Sequence, residues 1–413
     1  MLSLEGPDPY SQAGGLGVRA RELCRALVAA GIPTTLVFVG DPALPGEEVD
    51  HGVRLLRFAQ AVSARHPAGV YAGEDEKIAD LETWVPDLVA ERIVRPAAAA
   101  GRVVAVLCEE WQTARLACRV SDLLWERGLR DRAVVVWNAN NQYGFNRIDF
   151  GALGARAGIT TVSRYMKQLM WRWGVDPVVI PNGVPESAFV NPDPTAVDAL
   201  RAAGGPCLAV KRGRFTPDKR WLQAVDAVAV LRRRGVPARL LMRGGIEPHG
   251  AAVLHRAGEL GLGVRAVTSP VRELEDLLAA LRAGDEPLID LRTFLPDAVL
   301  PVMDVAATGV LANSGHEPFG LVGLEAMAAG GVAFVGGTGE DYATPYVNCI
   351  VVEGEGGDEV ALGLEAVANR PALAARIRGG ARASARGYAW PVVVDGIVER
   401  LRLLALRQGV AGF

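Results

Sequence analysis

The stretch HEPFGLVGLEAMAAGG, residues 316–331, sets a polar loop, a glycine and an apolar helical run in immediate succession. Gly320–Ala329 reads as helix, which puts Glu325 about one and a half turns in and leaves Glu317 in the loop before it. The two carboxylates can then reach different parts of one elongated ligand. The N–H groups of Phe319, Gly320, Leu321 and Val322 would form an anion-binding helix start. The plainer reading makes both glutamates solvent-facing. Against it, Glu325 interrupts an apolar run, where a carboxylate needs a partner.

Outward from this stretch, short β-like runs alternate with helical ones, the pattern of parallel-sheet α/β units. Strand candidates are 1–4, 34–39, 102–107, 132–137, 159–162 and 178–180, then 207–211, 238–242, 288–294, 307–312 and 332–335. Residues 18–30 and 390–407 read as amphipathic helices, and 245–287 give no clear pattern. PNGVPESAFVNPDPT, 181–195, reads as a linker. The expectation is an α/β protein of two Rossmann-like domains facing a cleft, one spanning 1–185 with a returning helix in 388–413, the other 186–387. Ligands of such sheets bind at the carboxyl ends of strands.

Two further motifs lie in strand-to-helix loops. KRGRFTPDK, 211–219, brings Arg214 and Lys219 together, and two cationic donors suit a pyrophosphate; most such basic turns are merely solvated. SQAGGLG, 11–17, lets backbone at Gly14 and Gly15 approach a ligand at a helix N-terminus. Gly15, Gly17 and Ala20 also fit a dinucleotide fingerprint with Asp41 as its acidic residue, which keeps an NAD(P)-dependent oxidoreductase as the alternative. Residues 5–13 separate that glycine run from its strand, however, and the fingerprint requires the turn directly after it.

Composition narrows the classes. The 413 residues carry 44 basic and 47 acidic side chains, a formal charge of −3, so nothing electrostatic favours nucleic acid. No apolar run is long enough to span a bilayer, and the first residues do not resemble a signal peptide. The five cysteines are scattered and read as reduced thiols of a cytoplasmic protein. The five histidines show no metal-binding spacing, so no metal is expected. SRYMKQLMWRWG, 163–174, mixes bases with aromatics, but packing suits it better than a membrane surface.

These motifs in this order, with VIPNGV at 179–184, resemble the retaining nucleotide-sugar glycosyltransferases of family 4, which have the GT-B fold. CEEWQTA (108–114) and VVWNANNQYGF (135–145) are similar to segments of the starch and glycogen synthases in that superfamily. The resemblance implies that Gly14 and Gly15 lie against the donor diphosphate, while Arg214 and Lys219 bind it and stabilise its departure. It implies that Glu317 contacts the donor sugar, with Phe319, Gly320, Leu321 and Val322 around sugar and phosphate, and that Glu325 bonds the ribose. The nucleotide then belongs to the C-terminal domain and the acceptor to the N-terminal one, with the last helix crossing back.

The chain departs from the synthases at the acceptor side. Asn140 and Asn141 stand where those enzymes carry a histidine, and Glu109-Glu110-Trp111 replaces their HDW. An asparagine bonds a hydroxyl but exchanges no proton near neutral pH. Trp111, Asn138, Asn140, Asn141 and Arg147 are acceptor-binding candidates, and polymer synthesis is not expected. The reading is a metal- and cofactor-independent hexosyltransferase using UDP-glucose, with ADP-glucose and GDP-mannose open, and a hydroxylated small molecule or glycan as acceptor. A non-catalytic nucleotide-sugar-binding protein is a further alternative; a homodimer stays open.

Overall fold

In the computed structural model, which describes residues 1–412, the extended segment Met1–Leu4 pairs in parallel on both sides. Leu2 bridges Val37 and Cys108, and Ser3 N–H donates to Val37 O while Glu109 N–H donates to Leu2 O. Around it run Thr35–Val39 (β1), Glu47–Asp50 (β2), Val53–Phe58 (β3), Val104–Glu109 (β4), Ala133–Ala139 (β5), Gly158–Thr161 (β6) and Val178–Val179 (β7). The order is β2-β3-β1, then Met1–Leu4, then β4-β5-β6-β7, with only β2 antiparallel. Residues 5–14 therefore leave the sheet at its switch point, between β1 and β4, where such sheets hold ligands.

The helix Trp390–Arg407 belongs to this unit, which comprises Met1–Gly183 and the chain from Trp390 onward. Trp390, Val393, Val394, Ile397, Leu401 and Leu404 recur at three- and four-residue spacing and form one apolar stripe. That stripe packs with Leu23 and Leu27 of the helix Gly15–Ala29 and with Val134, Val136 and Ile180.

The other unit is Val184–Ala389. Its strands are Cys207–Arg212 (β8), Ala238–Arg243 (β9), Val264–Val267 (β10), Leu288–Leu291 (β11), Gly309–Ala312 (β12), Ala333–Val335 (β13) and Ile350–Val351 (β14). All are parallel, in the order β10-β11-β9-β8-β12-β13-β14. Its switch point lies between β8 and β12. Trp221, Leu231, Leu240, Phe334 and Leu364 are fully buried in the core, each large apolar side chain contributing about 1.5–3 kcal/mol. The chain is α/β throughout, with two Rossmann-like units.

Several elements differ from the sequence reading. The units divide at Gly183/Val184 and Ala389/Trp390, where the sequence suggested 185/186 and 387/388. The expected strand at 288–294 stops at Leu291. β2 and β3 are additional, because EEVD lacks an apolar face and arginines interrupt VRLLRF. Residues 245–287 hold the helices His249–Glu259 and Leu274–Arg282 with β10 between them. The expected linker contains a short helical turn, Glu186–Phe189, and Pro194 opens the helix Pro194–Gly204.

Candidate active site

In the unit Val184–Ala389, the loops after β8 and β12 flank the switch point. The β8 loop is tied down by its backbone: Phe215 N–H donates to Glu247 (2.8 Å) and Trp221 Nε1 to Arg214 O (2.8 Å). The Phe215 ring packs on Trp221 at 4.6 Å. Arg214 is exposed, and among the described residues no carboxylate pairs with it. Lys219 donates to Glu317 Oε2 at 2.6 Å, so the two sequence motifs meet directly.

The β12 loop is fixed from the segment after β13. Glu317 N–H donates to Thr338 Oγ1 (2.9 Å), whose hydroxyl returns a bond to Glu317 O (3.2 Å). Thr338 N–H in turn donates to Glu340 Oε2 (3.0 Å). Glu340 is 5% exposed, its Oε1 has no hydrogen-bond partner, and burial together with the nearby Glu317 charge pushes its pKa up to about 7.

Gly320 precedes the helix Leu321–Ala329 at φ +83, and a Cβ there would lie 2.8 Å from both Glu340 Cγ and Tyr342 Oη. Glycine is thus required twice over. No side chain caps this helix, so its first N–H groups point out at the helix end for an anion. The Phe319 ring is buried between Tyr342 and Tyr388, which leaves only its backbone for a ligand.

Glu325 does have the partner its apolar surroundings demand. Arg212, at the end of β8, donates to it at 3.3 Å and also grips buried Asp304 with both terminal guanidinium nitrogens. The sequence reading overlooked Arg212 and Asp304, since Asp304 lies 92 residues from Arg212. Lys211 is buried as well; it donates to Leu311 O (2.9 Å) and Asn313 (2.6 Å), and desolvation lowers its pKa to about 7.

The first unit holds a second cluster at its own switch point. Glu5, 2% exposed, turns its carboxylate into the glycine loop. Its Oε2 accepts N–H bonds from Ala13 (3.2 Å), Gly14 (3.0 Å) and Gly17 (2.9 Å), and its Oε1 accepts the Tyr71 hydroxyl. Gly15 is exposed and opens the helix. The N–H group of Gly14, expected on a diphosphate, is therefore already bonded to a carboxylate of the same chain. The Asp41 side chain, the acidic residue of the dinucleotide alternative, accepts the N–H of Ala43 (2.8 Å) in a local turn.

Beside the loop, Arg19 pairs with Glu109 (3.2 Å) and bonds Asn182, all three nearly inaccessible. Asn138 and Asn140 donate to Glu109 Oε2 at 2.9 and 2.8 Å, and Asn138 also accepts from Thr160 (2.9 Å). The Asn138 amide is thus committed to its neighbours, whereas Asn140 reaches the partly open rim. Asn141 accepts the N–H of Tyr143 (2.7 Å), which shapes its own loop. Arg147 stacks on Trp111 at 4.1 Å and pairs with Asp75 (2.6 Å). Gly144, at φ +71, lies so close to Trp111 that a Cβ would sit 2.4 Å from the indole.

Glu110 stands out from this group. It has φ +68 and ψ 169, a region that glycine alone occupies readily. It is 3% exposed, accepts the Asn140 N–H (2.8 Å), and burial pushes its pKa up to about 8. Strain and burial at a strand's carboxyl end, with the raised pKa, make it a further candidate residue for the site. The sequence reading noted Glu110 only as a departure from the synthases and made Trp111 alone of that trio a site candidate, though a carboxylate closing an apolar strand was the available signal.

Residues 13–188 match the family described as Glycosyltransferase Family 4. D-inositol 3-phosphate glycosyltransferase of Geodermatophilus obscurus is 30% identical over 255 residues, 59% of this chain and 52% of that protein. The Rhodococcus erythropolis protein of the same name is 26% identical, covering 58% and 52%. The chain thus spans about half the length of the curated relatives it matches.

Among solved structures, sucrose-phosphate synthase from Thermosynechococcus elongatus aligns with a TM-score of 0.65 at 19% identity, over 98% of this chain and 99% of that one. Anabaena HepE in complex with UDP-glucose aligns at 0.66 and 15%, over 97% and 99%. The starch synthase IV catalytic domain of Arabidopsis thaliana, bound to ADP and acarbose, aligns at 0.65 and 15%, over 99% and 98%. Residues 13–188 thus resemble the family 4 glycosyltransferases, and the fold of the chain is GT-B.

Proposed function

We propose that the chain is a retaining, metal-independent hexosyltransferase whose donor is a nucleotide-diphosphate sugar, with UDP-glucose as the first choice. The observation that carries this reading is the meeting of Lys219 and Glu317 at 2.6 Å beside an uncapped helix start and an exposed Arg214. Breaking a glycosyl–phosphate bond places negative charge on the departing diphosphate. Arg214, Lys219 and the N–H groups of Gly320, Leu321 and Val322 answer that charge, as a metal would elsewhere. Glu317 orients the sugar, and Glu325, steadied by Arg212, takes the ribose hydroxyls. ADP-glucose and GDP-mannose fit the same diphosphate chemistry, and UDP-sugar complexes among the structural relatives favour UDP.

The acceptor is a polyhydroxylated compound held by the first unit, and the relatives' name supplies D-inositol 3-phosphate as the first compound to assay. Asn140, Trp111 and Glu110 line that side. Glu110 keeps its proton to about pH 8 and so offers a hydroxyl either a donor or an acceptor. In the transfer, the bond from C1 to the diphosphate oxygen breaks and a bond from C1 to the acceptor oxygen forms on the same face. The acceptor proton passes to the leaving phosphate.

Lys219→Ala tests the diphosphate role. Turnover of UDP-glucose should fall tenfold or more, a loss of about 1.4 kcal/mol or above, and wild-type activity should persist in EDTA. Unchanged kinetics in the variant would remove Lys219 from the leaving-group site.

A further inference from the structure

At the amino ends of its strands, opposite the loops after β8 and β12, the unit Val184–Ala389 carries two adjoining cavities. One, of about 560 Å³, lies against Pro206 and Thr308, which immediately precede β8 and β12. The other, of about 420 Å³, lies against Asn191 and Gly330. Arg201 and Arg378 line both, and Arg382 lines the second. Small-molecule sites have volumes of roughly 300–1,000 Å³. Among the described residues Asp198 is the one carboxylate on these walls, 3.3 Å from Arg201.

The charge here is unbalanced. Residues 366–389 contain Arg370, Arg376, Arg378, Arg382 and Arg386 and no acidic residue, and among the described residues none of these arginines takes part in an ion pair. Arg382 is held by Asn191 and the Phe189 carbonyl, and Arg386 lies over the Phe189 ring. Arg201 donates to Val305 O (3.1 Å) near a helix end. Arg378 has less: one bond of 3.4 Å to Ala307 O, with its Nε buried and without a partner. A guanidinium carries five N–H donors, and a buried donor left open calls for an explanation. Burial, and then the Arg201 charge, lower the Arg378 pKa from its usual value, so neither its surroundings nor its neighbour favours the cation.

We propose that Arg201 and Arg378 form an anion-binding site distinct from the donor loops, and that it takes a phosphate-bearing small molecule, either inorganic phosphate or a phosphate monoester. Planar guanidinium forks match phosphate oxygens in pairs. An anion shared by the two arginines turns their mutual repulsion into a common attraction. The site lies at the opposite strand ends from Arg214 and Lys219, and it does not depend on the transferase reading.

Calorimetric titration with glucose 6-phosphate, inorganic phosphate and glucose tests the proposal on wild type, Arg378→Gln, Ala202→Glu and Lys219→Ala. At least one of the two phosphates should bind wild type with a Kd of about 1 mM or tighter, and glucose should bind more weakly than either. Arg378→Gln should weaken phosphate binding at least about tenfold, as the loss of a charge-assisted contact does. Ala202 is an exposed helix residue on the wall of the larger cavity. Ala202→Glu therefore keeps both arginines and the core intact while placing a carboxylate where the ligand would sit, and it should abolish binding. Lys219→Ala changes only the donor loop and should bind as wild type does. Preference for glucose 6-phosphate would make the ligand a monoester, and equal or better binding of inorganic phosphate would make it the free ion. Absence of phosphate binding to wild type would overturn the proposal, as would binding that survives both Arg378→Gln and Ala202→Glu. Loss confined to Lys219→Ala would overturn it too, by assigning the anion to the donor loop.

Discussion

Glu340 shows how a single buried side chain can serve a loop and burden the fold. Its Oε2 holds Thr338, which holds Glu317 from both sides of the peptide, while its Oε1 finds no partner. Burial raises its pKa from 4.5 to about 7. The folded state therefore binds this proton more tightly than the unfolded chain, and stability falls as pH rises from about 4.5 through 7. Glu340→Gln removes that dependence while keeping an oxygen for the Thr338 N–H. Melting temperature against pH from 5 to 8 should decline more steeply in wild type than in the variant. At the upper end the variant should lead by a few degrees, about 2–4 °C for each kcal/mol in a unit of this size. Parallel curves would mean that Glu340 ionises normally. Glu110, with its raised pKa, adds a slope of the same sign to both proteins.

At the scale of elements, legibility follows the range of the interactions. The loop and helix at 316–331 can be read from sequence because the polar loop, Gly320 and the apolar run are contiguous. The helix Trp390–Arg407 is legible through its periodicity. By contrast, Glu5 reaches Tyr71 across 66 residues, Arg19 reaches Glu109 across 90 and Arg212 reaches Asp304 across 92. Periodicity carries no information about such pairs, so the filling of the glycine loop and the support beneath Glu325 emerge only from the fold. The last helix also permits a direct test. Ending the chain at Ala389 strips the cover from Leu23, Leu27, Val134, Val136 and Ile180. The truncated protein should aggregate or bind a hydrophobic dye. A shortened chain that stays soluble with an unchanged melt would show that the stripe Trp390–Leu404 contributes little.

At the scale of the whole molecule, each unit brings its candidate site side chains to the switch point of its own sheet. One gathers cations, a carboxylate pair and an uncapped helix start; the other gathers amides, an indole and carboxylates. The first set suits a nucleoside diphosphate and the second a hydroxylated acceptor. The measurement that tests this division most directly is thermal stability against UDP, ADP, GDP, NAD and NADP, together with the matching nucleotide sugars. A ligand that binds only the folded state raises the melting temperature, by about 2.7 kcal/mol of stabilisation at a hundredfold excess over its Kd. The account predicts a rise with one nucleoside diphosphate, UDP first, and slow release of that diphosphate from its sugar. A rise with NAD or NADP alone would contradict it.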